Sequence, residues 1–288
     1  MANKTIDKKT IKEVATAIYA DVKTVISNYT TRDGEDTVPY FKPDALEGFC
    51  DEIDAIFEEE YGVDVTPRVS LSFLTWAQIA EISGRGDAAK TFKIGDTKEF
   101  TLLTGETLTA VIIGLDHDIL SERDEPTEKT AGITFGIKGI MDGWYEMNAD
   151  DTNKGGWRDC KMRNVYMARI FNLLPPELKE IIKTVSKTTG RGATSDDLYF
   201  TADKLFLFSE VEVAGENEYT VEGEGEQYEY FKDEENRVKE RSDGSACSWW
   251  LRSPSVDSVY YFRCVISFGS VYGINASTAC GVSFGFCV

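Results

Sequence analysis

Any chemistry in this chain has to be drawn from one histidine, six cysteines and 50 Asp and Glu side chains. A lone imidazole, His117, leaves most general-base and nucleophile-activation schemes short, because they relay a proton through histidine. It stands between Asp116 and Asp118, just after the apolar run Ala110 to Leu115, where the end of a strand and a structural or surface role are expected. The cysteines at 50, 160, 247, 264, 280 and 287 make no C-x-x-C pair, so no Cys/His zinc site is expected. Their even number permits disulfides, while the want of a signal peptide argues for free thiols. The carboxylates could supply a two-carboxylate glycosidase, but spacing singles out no pair among the 50. No G-x-S-x-G, P-loop, H-E-x-x-H or strand-linked G-x-G-x-x-G is present, and Gly223-Glu224-Gly225 lies in an acidic stretch, the wrong charge for phosphate. No cofactor and no metal are expected.

The second set of notable residues is at the C-terminal end. From Ser253 to Val288 the only charges are Asp257 and Arg263, and there is no Lys, Glu, Gln, Met or Trp. Those five types supply 58 of the first 252 residues, so about 8 would be expected in the last 36. The stretch opens after Trp249-Trp250-Leu251-Arg252-Ser253-Pro254, where two aromatics can fill a core and Arg252 can hydrogen-bond loop carbonyls or a carboxylate. It closes on Gly281 to Val288, whose alternating large and small residues predict a strand with one buried face. Between them Tyr, Ser, Gly and Asn dominate, the residues of binding surfaces: Tyr offers contact area at low entropy cost, and Ser and Asn adapt their hydrogen bonds. A buried, strand-rich C-terminus would also lack long charged side chains, so composition alone leaves both readings open.

The elements that must position these residues follow from periodicity. Ile11, Ala15, Ile18, Val22, Val25 and Tyr29 recur at 4-3-4-3-4, a short seam for packing on its own domain or for self-association. Residues 1–65 therefore read as a helical leader, with a second stripe of Leu46, Phe49, Ile53, Ile56 and Phe57. From residue 66 the texture changes. Thr75 and Gln78 form a capping box for a helix through Ile82. Strands are predicted within Phe92 to Leu115, turning at Thr104-Gly105-Glu106, and over Ile133 to Ile137, with a charged loop from Ser121 to Lys129. Met162 to Leu174 predicts a helix, and Pro176 opens another with Leu178, Ile181, Ile182 and Val185 on one face. Leu205 to Phe208 reads as a short strand, and residues 210–240, with eight glutamates from Glu216 to Glu235, as a solvated acidic insertion. The net charge of −19 excludes a nucleic-acid groove or an anionic membrane surface as partner. No window is apolar enough to span a bilayer, and no signal-peptide run opens the chain, so synthesis in the cytoplasm is expected.

Several strings resemble one family. Trp249 to Pro254, Phe262, Val265, Gly269 and Gly281-Val282 to Phe286 are similar to the C-terminus of DUF6273-type proteins of gut bacteria and their phages. Thr75 to Ala80, Ile113 to Asp118, Gly155 to Arg163 and Gly225 to Phe231 extend the likeness over roughly residues 70–288. The resemblance implies an α+β, C-type-lectin-like fold, shared by formylglycine-generating enzymes and the variable proteins of diversity-generating retroelements. In those variable proteins, template Asn codons (A-A-pyrimidine) become N-N-pyrimidine. That codon class cannot encode Lys, Glu, Gln, Met or Trp, the five types missing here.

The resemblance thus implies a noncatalytic ligand-binding domain over residues 66–288, with a variable region at about 253–288. Its diversified positions would be Asp257, Ser258, Tyr260, Tyr261, Arg263, Ser267, Phe268, Ser270, Tyr272, Gly273, Ile274, Asn275 and Ser277. Trp249, Trp250, Arg252, Phe262, Val265, Gly281 and Phe286 would be scaffold. Formylglycine-generating enzymes use an active-site cysteine pair; none is evident among Cys247, Cys264, Cys280 and Cys287, so that activity does not carry over. Glu125-Pro126 is followed by Thr127 rather than the Asn of a calcium-lectin triplet. The partner expected is a protein or glycan on a target cell, with display on a virion or surface and a homo-oligomer through the N-terminal helix. The alternatives are a fixed structural virion protein, or an enzyme of the formylglycine-generating or glycosidase kind.

Overall fold

In the computed structural model, which describes residues 70–122 and 125–288, the first helix starts where the sequence predicts it. The Thr75 hydroxyl accepts from Gln78 N at 3.2 Å, Gln78 Oε1 accepts from Thr75 N at 2.9 Å, and α1 (Trp76–Gly84) follows. The helical reading of residues 1–65 lies outside the described residues. A short α2 (Ala88–Thr91) leads into the hairpin of β1 (Thr97–Thr101) and β2 (Thr107–Leu115), with Gly105 at φ +92° in its turn.

The stretch read as a charged loop holds a second hairpin, β3 (Ile119–Glu122) and β4 (Glu125–Thr130). β4 is exposed on nearly every residue, so it has no buried face and no alternation to read. β5 (Ile133–Ile137) has the predicted bounds and is wholly buried. β6 (Met141–Tyr145) precedes irregular chain and the short α3 (Gly156–Asp159). The helix predicted from Met162 opens with a π-helical turn, Met162–Met167, before α4 (Ala168–Leu173). α5 (Pro176–Ile181) carries Pro176 in its first turn, but Val185, read as part of its apolar face, starts β7 (Val185–Gly192) instead. β7 pairs with β8 (Ser195–Asp203).

Leu205 to Phe208 is buried but makes only a single bridge, Phe206 to Gly285, rather than a strand. The acidic segment begins with α6 (Glu210–Ala214) and ends at β9 (Lys239–Glu240), which pairs with β10 (Ala246–Cys247). The C-terminal strands are β11 (Trp249–Pro254), β12 (Tyr261–Val265), β13 (Val271–Asn275), β14 (Cys280–Val282) and β15 (Gly285–Cys287). The closing segment is therefore two strands, not one with a single buried face. It passes from one sheet into another and is covered on both sides.

The result is an α+β fold with three main sheets, in the orders β1-β2-β5-β15, β13-β12-β11-β14-β6 and β4-β3-β7-β8. Only β11 and β14 run parallel among the pairs of the second sheet. Two aromatic groups fill the core. Trp76 meets Phe100, Phe135 and Phe286 edge-on, and Phe208 meets Phe206, Tyr228, Phe231 and Trp249. Burying each such ring contributes roughly 1.5–3 kcal/mol. Gly285 is required by this packing, since a Cβ there would lie 2.7 Å from the rings of both Phe206 and Phe208. Among the described residues no helix is long and apolar enough to cross a membrane. The five described cysteines are buried free thiols.

Candidate functional site

The scaffold of the C-terminal sheet is β11, and all six of its residues are buried. Trp249 and Trp250 satisfy their indole N–H groups on Arg237 O at 3.0 Å and Tyr145 O at 2.7 Å. Phe262, Val265, Gly281 and Phe286 are buried as well, so every residue read as scaffold lies inside.

Of the thirteen positions read as ligand-binding, twelve are at least partly exposed. Tyr260 is 55% exposed, Phe268 77% and Tyr272 61%. They do not share one face. Cross-strand register pairs Tyr261 with Asn275 and Arg263 with Gly273 on one side of the β12–β13 hairpin. Tyr272 and Ile274 pair with Cys264 and Phe262 on the other side. Ser267, Phe268 and Ser270 form the hairpin tip, while Asp257, Ser258 and Tyr260 lie in the loop before β12 and Ser277 follows β13.

Arg263 is the correction within this set. It is 4% exposed, and its Nε and Nη2 donate to Glu210 Oε1 at 3.1 and 2.8 Å. The Tyr219 ring covers the guanidinium at 4.9 Å. Its place in a run of Tyr and Ser suggested a contact residue, but the carboxylate that buries it comes from a segment 53 residues earlier.

The backbone of this region is held by groups outside it. Asn153, fully buried, directs Nδ2 at the carbonyl oxygens of Ser255, Ser258 and Tyr261 at 3.0, 2.7 and 2.9 Å. An amide has two N–H bonds, so one is shared among three acceptors. The Asn153 backbone N–H also donates to Val259 O at 2.8 Å, and Asp151 accepts from Asn275 Nδ2, Ser277 N and Ser277 Oγ. The Asn153 bonds would survive a change of any side chain in the loop.

Arg252 finds both the carbonyls and the carboxylate expected for it, inside a charged network whose other members, Lys187, Asp118 and Glu212, sequence reasoning missed. Arg252, with no exposed surface, donates to Thr189 Oγ1, Leu207 O, Thr188 O, Glu224 O and both oxygens of Glu212. Lys187 Nζ reaches Asp118, Glu212 Oε1 at 3.0 Å and the Tyr228 hydroxyl at 2.7 Å. His117 stacks on Tyr228 with ring centroids 4.2 Å apart, the structural role expected of it. Burial alone would raise the Asp118 carboxyl, but the Lys187 ammonium together with the Thr134 hydroxyl and His117 outweighs it and holds the group down to about 2. Glu212 is likewise lowered, against burial, by Arg252 and Lys187.

The acidic segment is thus only partly solvated. Of its eight glutamates seven are exposed, but Glu224 is wholly buried and accepts from Gly190 N at 2.6 Å and from the Ser253 hydroxyl. One signal for the buried carboxylates was in the sequence. Ser209-Glu210-Val211-Glu212 is a capping box, and both of its reciprocal bonds form.

Burial pushes the Glu224 carboxyl up to about 7, with Arg252 opposing. Between the ordinary carboxylate range and that value the folded chain holds a proton that the unfolded chain has lost. Stability from this group should therefore be full at low pH and fall as pH rises towards 7, by about 3 kcal/mol in all. Thermal melts of Glu224→Gln should lose this slope between pH 5 and 8. An unchanged slope would show that Glu224 ionises as readily folded as unfolded.

The clefts of about 450 to 520 Å³ on the described residues are lined by none of the thirteen positions. Among the described residues no group of three or more His, Cys, Asp or Glu side chains is placed to hold a metal ion. The family model described as "Domain of unknown function (DUF6273)" matches residues 131–288, more than half of the chain. No curated protein and no solved structure matches the chain.

Proposed function

The chain belongs to the DUF6273 family, and from that premise we propose that it is a noncatalytic ligand-binding protein whose C-terminal hairpin and preceding loop are its contact surface. In this reading the domain is C-type-lectin-like, the surface is diversified by a retroelement, and the protein is displayed on a phage tail or a cell surface. The single observation that carries it is the division of labour in the C-terminal region. Residues outside the loop hold its backbone, through Asn153 above all, while twelve of the assigned side chains remain at least partly open to solvent. The absence of Lys, Glu, Gln, Met and Trp from an exposed hairpin supports a coding restriction over burial. Tyr260 in the loop, Tyr261 and Tyr272 on opposite sides of the hairpin and Phe268 at its tip would be the anchors, with Ser and Asn interspersed in the chain.

Replacing those four residues together by Ala tests the reading. Binding of the labelled protein to target bacteria should fall at least tenfold, since aromatic anchors contribute about 2 kcal/mol each. The melting temperature should hold, because exposed substitutions usually stay within about 0.5 kcal/mol. Collapse of the fold, or binding at wild-type strength, would overturn the proposal. The diversification half has its own test at the locus: a near-copy of the 3′ coding bases beside a reverse-transcriptase gene, differing only at adenines. A locus without one would remove that half alone.

A further inference from the structure

A cleft of about 520 Å³ lies between the turn that precedes α3 and the hairpin joining β7 to β8. Its lining is unlike the rest of this acidic chain, with Lys154, Arg158 and Arg191 against the single carboxylate Asp159. Asp159 is already occupied: its two oxygens accept from Arg158 Nε and Nη2 at 3.0 and 3.1 Å. Arg191 spends only Nη1, on Asp197 at 2.9 Å. Lys154 Nζ and Arg191 Nη2 make no hydrogen bond among the described residues, while Arg158 is engaged by Asp159 and Tyr199. With Asp159 on Arg158 and Asp197 on Arg191, the cleft keeps an excess of one positive charge, that of Lys154, together with the unspent N–H donors.

Those donors are held in place. The Tyr199 ring carries the Arg158 guanidinium at 3.4 Å and that of Arg191 at 5.2 Å, so both cations are oriented before any ligand arrives. One wall is a strained turn. Ala193 and Thr194 sit at φ +53° and +61°, where an L side chain costs about 1–2 kcal/mol each. The Asn153 side chain fixes that turn by accepting from Ala193 N at 2.8 Å, and it is the same side chain that clamps the loop before β12.

We infer that this cleft is a binding site for an acidic sugar, a pyranose bearing a carboxylate. The excess of donors selects the anion, and the volume is larger than a bare oxyanion needs. One feature beyond the volume indicates a hydroxyl-bearing ligand such as a sugar: the free Ser195 hydroxyl proton, whose oxygen accepts from Asp197 N at 3.2 Å, while the Tyr199 ring serves to hold the guanidinium groups. All the residues involved lie outside the assigned positions, so the site would be fixed whatever the neighbouring loop displays.

The test is titration of the full chain with sodium glucuronate, followed by NMR chemical shifts, with glucose and sodium sulfate as comparisons at matched ionic strength. Glucuronate should saturate with a Kd of about a millimolar, as suits a small, exposed ion-paired site, while glucose shifts nothing. The double variant Lys154→Ala, Arg191→Ala should weaken glucuronate at least tenfold with melting unchanged, since both side chains are exposed. Equal affinity for sulfate would reduce the site to charge attraction and overturn the sugar assignment. Undiminished glucuronate binding by the double variant, or no saturation at all, would overturn the site.

Discussion

Arg252→Met is expected to lower the unfolding free energy by about 3–5 kcal/mol, the usual effect of removing one partner from a buried ion pair. The charge count explains the size. Lys187 and Arg252 are balanced by Asp118 and Glu212, all four almost without exposed surface. Met matches much of the volume of Arg but leaves Glu212 sharing one ammonium with Asp118. It also strips donors from four uncharged oxygens in the interior: Thr188 O, Leu207 O, Glu224 O and Thr189 Oγ1. A second substitution separates charge from packing. Glu212→Gln in the Arg252→Met background restores the balance, with Lys187 left to Asp118. It should therefore cost far less there than in the parent, a coupling of several-fold RT in a double-mutant cycle. Tryptophan fluorescence during denaturant unfolding reads the effect directly. All five tryptophans, Trp76, Trp144, Trp157, Trp249 and Trp250, lie in the described part of the chain. A midpoint within error of the parent would mean that the network contributes shape and not stability.

The same network marks where sequence reasoning stops. Local signals were legible. The Thr75 capping box and the apolar run Ile133 to Ile137 each act within a few residues and appear where spacing and periodicity put them, and the Trp249 to Pro254 string is buried as its aromatics implied. Exposure in the C-terminal hairpin was not legible from residue type alone, which left burial and a binding surface both open; only the resemblance chose between them, and Tyr260, Phe268 and Tyr272 are exposed while Arg263 is not. What failed was the fate of charge. A glutamate reads as solvated unless its cation is in view, and Glu212 meets Arg252 40 residues on and Lys187 25 residues back. Lys187 did carry a hint, since it shares the inward parity of β7 with Val185 and Thr189. The β3–β4 hairpin failed for the opposite reason, because a ribbon wet on nearly every residue gives no pattern.

Arg263 sharpens that contrast into the second large effect. Arg263→Ala should destabilise the chain by about 3–5 kcal/mol, whereas Tyr272→Ala, one strand away, should change stability by no more than about 0.5 kcal/mol. Both residues belong to the set that the resemblance assigns to diversification, and side-chain type does not separate them. Structure does. Glu210 is 2% exposed, its Oε1 takes both donors from Arg263, and its Oε2 already has no partner. Removing Arg263 leaves the buried Glu210 carboxylate with neither of its two charged donors. Glu210→Gln should recover part of the loss in the Arg263→Ala background, because the penalty is then a buried amide rather than a buried charge. Chemical denaturation of the two single variants and this double decides the point. If Arg263→Ala behaves like Tyr272→Ala, position 263 is free to vary and all thirteen positions form one set. If it behaves as expected, variation at 263 must be matched at 210, and the contact surface proposed here is confined to the twelve residues that are at least partly exposed.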